Sequence, residues 1–395
     1  MSKVRNIIFV AIIAVCLFSV IGYKVAVAAT PLTAPQRSTL EGREYQGFPK
    51  VSTEAISDGD FQDDFEQYIA DLIPRRDTVL LANAALQRKT IELANVPFGY
   101  AAYPTFFGSK YVYIPEGQLV YEKPELVSKT AEESLDEKAQ KYSRIIDNNA
   151  DVNWVFYLVD RGATSAANPA HALSANVEDY DYLRTEFLDK LPESCVVVDG
   201  AYYDSSEFQN DYFHTDHHWR IQGGMKAYEK ISEALGNDSI EFGTVGEVYS
   251  GPFWGANARS GLAPVGSGDA VFDVEYDKSE IGVKINGKKH DADSLDAGYS
   301  DGFEGYEKEE TFTNVYSHYF HGDYGMIEIE NTQNKNGKLL LVVADSFSNC
   351  IERFFAEGYQ YVCVLDPRHF NDSIQSVLDE HDFTDGVFFL SEPNL

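Results

Sequence analysis

Cysteine is scarce in this 395-residue chain: four in all, no C-x-x-C pair, and only Cys195, Cys350 and Cys363 beyond the N-terminal apolar run. An odd, sparse set builds no disulfide framework and no zinc knuckle. Each reads as a small buried hydrophobe, with a Cys350–Cys363 bridge left open. Basic residues are also few, 32 Lys+Arg against 63 Asp+Glu, for a net charge of −31. That deficit argues against nucleic acid as a partner, because polyanion binding needs basic surface to replace released counterions. A neutral glycan, or a polymer held by local cations, remains compatible. No G-x-x-x-x-G-K-[ST] or G-x-G-x-x-G string supports a nucleotide site, and no cofactor is called for. There is no internal repeat.

What is present points to a substantial core: 44% hydrophobic and 13% aromatic residues, with 25 Tyr and 25 Phe, exclude a disordered chain. Lys3 and Arg5 precede an uncharged apolar run, Ile7 to Ile21, followed by Ala26-Val27-Ala28. A basic region, an apolar stretch and an A-x-A site describe a secretory signal over residues 1–29. An uncleaved anchor is the alternative, since Val25 to Ala29 extends the run past Lys24. Either way the N-terminal segment engages the membrane or export machinery, and the rest of the chain is extracytoplasmic.

Residues 30–60, rich in Thr, Pro, Ser and Gly, read as a linker. From Phe61, apolar residues recur at helical spacing to Pro74 and again from Leu80 to Ile91. A βα rhythm follows. Strands are expected at Val152–Val159, Cys195–Val198, Leu339–Val343, Tyr361–Leu365 and Gly386–Leu390, with helices between them and one running from Ser346 through Phe355. Apolar runs of this length alternating with helices imply a mostly parallel sheet covered on both faces. The fold class is thus α/β, a three-layer α/β/α sandwich with a five-stranded sheet and an N-terminal helical segment, in one domain over 61–395. The rhythm breaks between about 236 and 335, where Ile281 to Ile285 alternates and Asn286-Gly287 marks a hairpin, so this stretch reads as a β-rich insertion.

Two clusters carry chemistry. In Val343-Ala344-Asp345-Ser346 a buried strand ends in an Asp and a Ser, at the strand end where ligands of α/β sheets bind. Ser346 is therefore a candidate nucleophile; the alternative is a helix cap. In His214-Thr215-Asp216-His217-His218-Trp219, three His and one Asp fall within five positions of a chain holding nine His. A serine needs a base, and the base a carboxylate to orient it. Asp216 with a nearby His supplies both, with Trp219 walling the site; Asp211 and His214 are a competing pair. A metal site built on His214, Asp216, His217 or His218, with His321 or Asp323 from afar, is the alternative chemistry.

The strings Thr215-Asp216-His217-His218-Trp219 and Ala344-Asp345-Ser346-Phe347 resemble the DHHW protein family, which is similar to the SGNH-hydrolase-like domains of bacterial alginate O-acetyltransferases. Tyr68 to Asp77, Ser250 to Phe253, His318 to Gly322 and Leu365 to Phe370 fit the same pattern, so the match runs from about 60 to 392. The resemblance implies a circularly permuted motif order in which Asp216 orients, His218 is the base and Ser346 the nucleophile, with no metal. His217 fills the x position of D-x-H. Arg368, Asn349, His217 and Trp219 are candidates for contacts to substrate or oxyanion; the alternative for Arg368 is an ion pair with Asp366. The implied function is an O-acetyltransferase acting on surface or extracellular polysaccharide, fed by a membrane-bound O-acyltransferase. A carbohydrate acetylesterase and a non-catalytic glycan-binding or assembly protein are the alternatives.

Overall fold

The computed structural model describes residues 10–11, 37–41, 43–123, 129–170, 177–238, 240–276, 280–297, 312 and 316–391. The leader or anchor expected over 1–29 lies outside them, apart from Val10 and Ala11. Among the described residues, no helix is long and apolar enough to cross a membrane. Two compact units emerge, Met1–Thr90 and Ile91–Leu395.

In the first unit, the stretch read as a linker carries a short antiparallel pair, β1 (Arg37–Ser38) with β2 (Arg43–Glu44), and a helix, α1 (Thr53–Asp58). Two acids hold the pair. Asp77 accepts from the Ser38 hydroxyl and the Thr39 N–H, and Asp71 takes both Arg43 nitrogens at 2.7 and 2.9 Å. Asp71 ends α2 (Asp60–Asp71), and Asp77 lies in the first turn of α3 (Arg76–Asn95), within which the division of the chain falls. The composition that suggested a tether thus hides a hydrogen-bonded local fold.

The second unit begins with a three-stranded antiparallel sheet, β3 (Tyr103–Pro104), β4 (Tyr111–Ile114) and β5 (Leu119–Glu122). Next come α4 (Lys129–Asn148), β6 (Asn153–Val159), α5 (Val177–Leu188), β7 (Cys195–Asp199), α6 (Ser205–Asp211) and α7 (Ile221–Ala234). The inserted region holds the ribbon of β8 (Val245–Phe253) and β9 (Asp269–Val274), with α8 (Ala256–Ser260) between them. It continues through β10 (Ile281–Ile285), β11 (Lys288–His290) and α9 (Tyr316–Tyr319) to β12 (Met326–Asn331). The chain closes with β13 (Leu339–Ala344), β14 (Tyr361–Leu365), α10 (Ile374–Glu380) and β15 (Asp385–Ser391).

The central sheet runs β11-β10-β12-β14-β13-β15-β6-β7. Its five parallel strands, β14, β13, β15, β6 and β7, are the five read from the sequence. The sheet nevertheless has eight strands, because β12, β10 and β11 extend it antiparallel. Alternation along each parallel strand separates the layers. Trp154, Phe156, Leu158, Leu341, Val343 and Phe388 pack with Tyr142 of α4, Phe187 of α5 and Val377 of α10. Val155, Tyr157, Leu340, Val342 and Phe389 pack with Tyr228 and Ile231 of α7 and with Phe354 and Phe355. The three-layer α/β/α sandwich follows from those two faces. The three cysteines are buried and free, with no Cys350–Cys363 bridge, and burial pushes the thiols of Cys350 and Cys363 up to about 12.

Candidate active site

β13 delivers its last side chains to the carboxyl edge of the sheet, where Asp345 fixes the turn that follows. One Asp345 oxygen accepts from the Phe347 N–H at 3.1 Å; the other accepts from the Ser391 N–H and hydroxyl at 2.8 and 2.6 Å. The helix expected here does not form. The Ser348 N–H turns back to the Asp345 carbonyl at 3.0 Å, its hydroxyl turns to Glu352, and a 3-10 turn, Glu352–Glu357, takes over. Short polar side chains offering local bonds to the backbone compete with a helix in this way. Because Asp345 consumes the Phe347 N–H, the Ser346 N–H is the backbone donor beside the nucleophile with no acceptor among the described residues. Ser346 itself is 9% exposed, buried yet reachable.

The Asp216 loop is set by a hairpin-like closure. Tyr212 and Trp219 form an antiparallel bridge, and the Phe213 N–H donates to the His218 carbonyl at 3.1 Å. Inside the loop, buried Asp269 accepts from the His214 N–H, the Thr215 N–H and the Thr215 hydroxyl, and binds Arg220 at 2.9 Å. Asp216 accepts the His218 backbone N–H at 3.0 Å and the Ala256 N–H, at the start of α8, at 2.6 Å.

These constraints bring the three distant candidates into line. His218 Nδ1 lies 2.7 Å from Asp216 Oδ1, and His218 Nε2 lies 2.8 Å from Ser346 Oγ. Burial alone would raise the Asp216 carboxyl. The adjacent His217 and His218 imidazoles and the N–H bonds from His218 and Ala256 outweigh it, holding Asp216 well below the usual carboxylate range. An ionised Asp216 can only accept, so Nδ1 carries the proton and Nε2 presents a lone pair to the Ser346 hydroxyl. The Tyr316 ring stacks on the His218 imidazole, centroids 3.8 Å apart and 9° from parallel, and stops it swinging.

The other candidates fare differently. Trp219 is fully buried and donates Nε1–H to the Phe347 carbonyl at 2.9 Å, so it ties the Asp216 loop to the serine turn beneath the site instead of walling it. His217 is partly exposed, 3.6 Å from Asp216; burial and the neighbouring His218 push its imidazole down to about 3. Asn349 is held by protein acceptors, donating to the Phe320 carbonyl at 3.3 Å and to Asp323 at 3.2 Å. Arg368 grips Asp366 through Nε at 2.9 Å and Nη2 at 2.6 Å, the ion-pair alternative. The competing Asp211–His214 pair is not formed, since Asp211 binds the Tyr202 hydroxyl and Lys226. Asp216, His217 and His218 do cluster closely enough to hold an ion. Both Asp216 oxygens are, however, already occupied by protein donors.

Three contributors were not legible in advance: Tyr316, Asp269, and the Gly255-Ala256 pair. A Cβ on Gly255 would overlap the Asp216 side chain, standing 2.6 Å from its Cγ and closer to its Cβ and Oδ2. The one available signal was proximity to Ser250–Phe253, since the other contacts span tens of residues.

Comparison with known proteins agrees with this architecture. The family model described as DHHW protein matches residues 127–365. No curated protein is found to match the sequence. Among solved structures, Bacillus cereus PatB1 with a sulfonyl adduct superposes with a TM-score of 0.57 at 21% identity, covering 72% of this chain and 96% of that one. A DHHW family protein from Eubacterium siraeum gives 0.53 at 17% identity, covering 72% and 91%. A looser match, TM-score 0.37 at 11% identity over 72% and 89%, is the O-acetyltransferase domain of Pseudomonas putida AlgJ.

Proposed function

The chain belongs to the DHHW protein family, and from that premise we propose that it is an exported, serine-dependent O-acetyltransferase acting on a surface or extracellular polysaccharide. The observation that carries this reading is the Asp216–His218–Ser346 relay, with its two links of 2.7 and 2.8 Å. His218 Nε2 takes the Ser346 proton as Oγ attacks an acetyl carbonyl, and the negative oxygen forms within reach of the Ser346 N–H. Collapse returns the proton from His218 to the departing oxygen and leaves acetyl-Ser346. A glycan hydroxyl then enters, gives its proton to His218, and takes the acetyl group while Ser346 recovers its own.

The test is acetyl transfer from p-nitrophenyl acetate to defined oligosaccharides, wild type against Ser346→Ala. Acetylated sugar that depends on Ser346 is the expected product. Ester turnover yielding only acetate would make the protein an acetylesterase. Binding of glycan with no turnover would make it a binding or assembly protein.

A further inference from the structure

Beneath the Ser346 turn lies a small cavity of about 10 Å³, room for about one water, lined by His321, Asp323, Asp345, Asn349, Glu352 and Asp366. His321 is buried and holds a left-handed φ of 29°, which a non-glycine residue keeps only where its surroundings impose it. Its Nδ1 lies 3.0 Å from the Gly322 carbonyl, which can only accept, so Nδ1 bears a proton. Nε2 faces Glu352 Oε2 at 3.4 Å, with neither atom in a hydrogen bond. A neutral imidazole would therefore point a lone pair at a buried carboxylate. The other Glu352 oxygen accepts from the Ser348 hydroxyl, and the Ser348 N–H donates to the Asp345 carbonyl at 3.0 Å, so Ser348 ties Glu352 to the turn that carries the nucleophile.

We propose that His321, as an imidazolium, is a positioning residue for Ser346: it neutralises Glu352, which grips Ser348 and so fixes the turn that carries the nucleophile. The inference rests on the acyl-serine reading above. The charges around His321 single out Glu352 as its partner. Arg353, beside Glu352, is committed to Asp273 and the Leu295 carbonyl. Asp366 and Asp323 face Arg368, Asp345 is taken by Ser391 and Phe347, and Tyr324 only stacks at 6.0 Å. Burial alone would lower the His321 imidazole, but Glu352 raises it above its ordinary value. A raised pKa keeps the pair intact below it and dissolves the pair as pH rises through it, so turnover carries an alkaline limb owed to His321.

Two measurements test this. In kinetics, His321→Ala should lower kcat for p-nitrophenyl acetate roughly 10-fold or more, the scale of leaving a buried charged group without its partner, with KM little changed. His321→Gln, whose amide N–H can reach Glu352 at any pH, should recover most of kcat without the alkaline limb. Wild-type kcat in His321→Ala, or an alkaline limb that survives in His321→Gln, overturns the proposal. In ¹⁵N NMR of labelled imidazoles, His321 should remain doubly protonated at pH 7 and lose that proton in Glu352→Gln. A His321 that is neutral at pH 7 overturns the proposal whether or not the enzyme turns over. A wild type inactive on every ester would instead sink the acyl-serine reading.

Discussion

Replacing Gly255 with Ala adds one carbon where the Asp216 carboxylate already sits. Gly255 has φ −73° and ψ −166°, a conformation open to alanine, so the backbone is not the obstacle. The obstacle is space: ordinary contact begins near 3.4 Å, and the new Cβ would stand 2.6 Å from Asp216 Cγ. Asp216 must retreat by about 1 Å, and a misplacement of that size at a reacting constellation costs about 10²-fold. The same overpacking should lower stability by about 1–3 kcal/mol. Gly246→Ala in β8, where an added Cβ meets nothing within 4 Å, is the matched control. The assay is burst-phase p-nitrophenyl acetate hydrolysis, with thermal unfolding to verify the fold. A folded Gly255→Ala protein with the wild-type burst rate would refute the claim that Asp216 must hold His218 in place.

Asp216→Asn should cut kcat by about 10⁴, the scale seen where an Asn fixes the wrong imidazole tautomer; steady-state kinetics at saturating ester checks it. His217 is held near 3, while an unfolded imidazole titrates near about 6.5. The unfolded chain therefore binds a proton that folded His217 refuses, and stability falls as pH drops through that window. The urea midpoint of His217→Gln should accordingly decline less steeply than the wild type's between those values. Trp219→Phe leaves the buried Phe347 carbonyl only the weak Cys350 thiol donor at 3.9 Å and should cost about 1–3 kcal/mol, read as a lowered Tm.

The parallel half of the sheet was legible because strands buried on both faces leave unbroken apolar runs, as in Leu339 to Val343. The Asn286-Gly287 turn was legible too: both residues adopt positive φ, 48° and 75°, as a tight hairpin demands. Its attachment to the central sheet was not, because β12 spells Met-Ile-Glu-Ile-Glu-Asn, an alternation with nothing to name its neighbours. The same limit applies at the site. Asp216 and His218 are two residues apart and announce each other. Tyr316, which stacks on His218, and Ala256, which caps Asp216, reach the site only through tertiary packing. Trp219 was noticed but misassigned, since sequence cannot tell a residue lining a cleft from one bracing its floor.

The acyl-enzyme itself gives the most direct test. After brief acid quench of protein and p-nitrophenyl acetate, intact mass and peptide mapping should locate one acetyl group on Ser346. It should be absent from Ser346→Ala and slow to form in Asp216→Asn. Acetylation spread over surface lysines with Ser346 unmodified, or undiminished turnover in Ser346→Ala, would contradict the assignment of Ser346 as nucleophile.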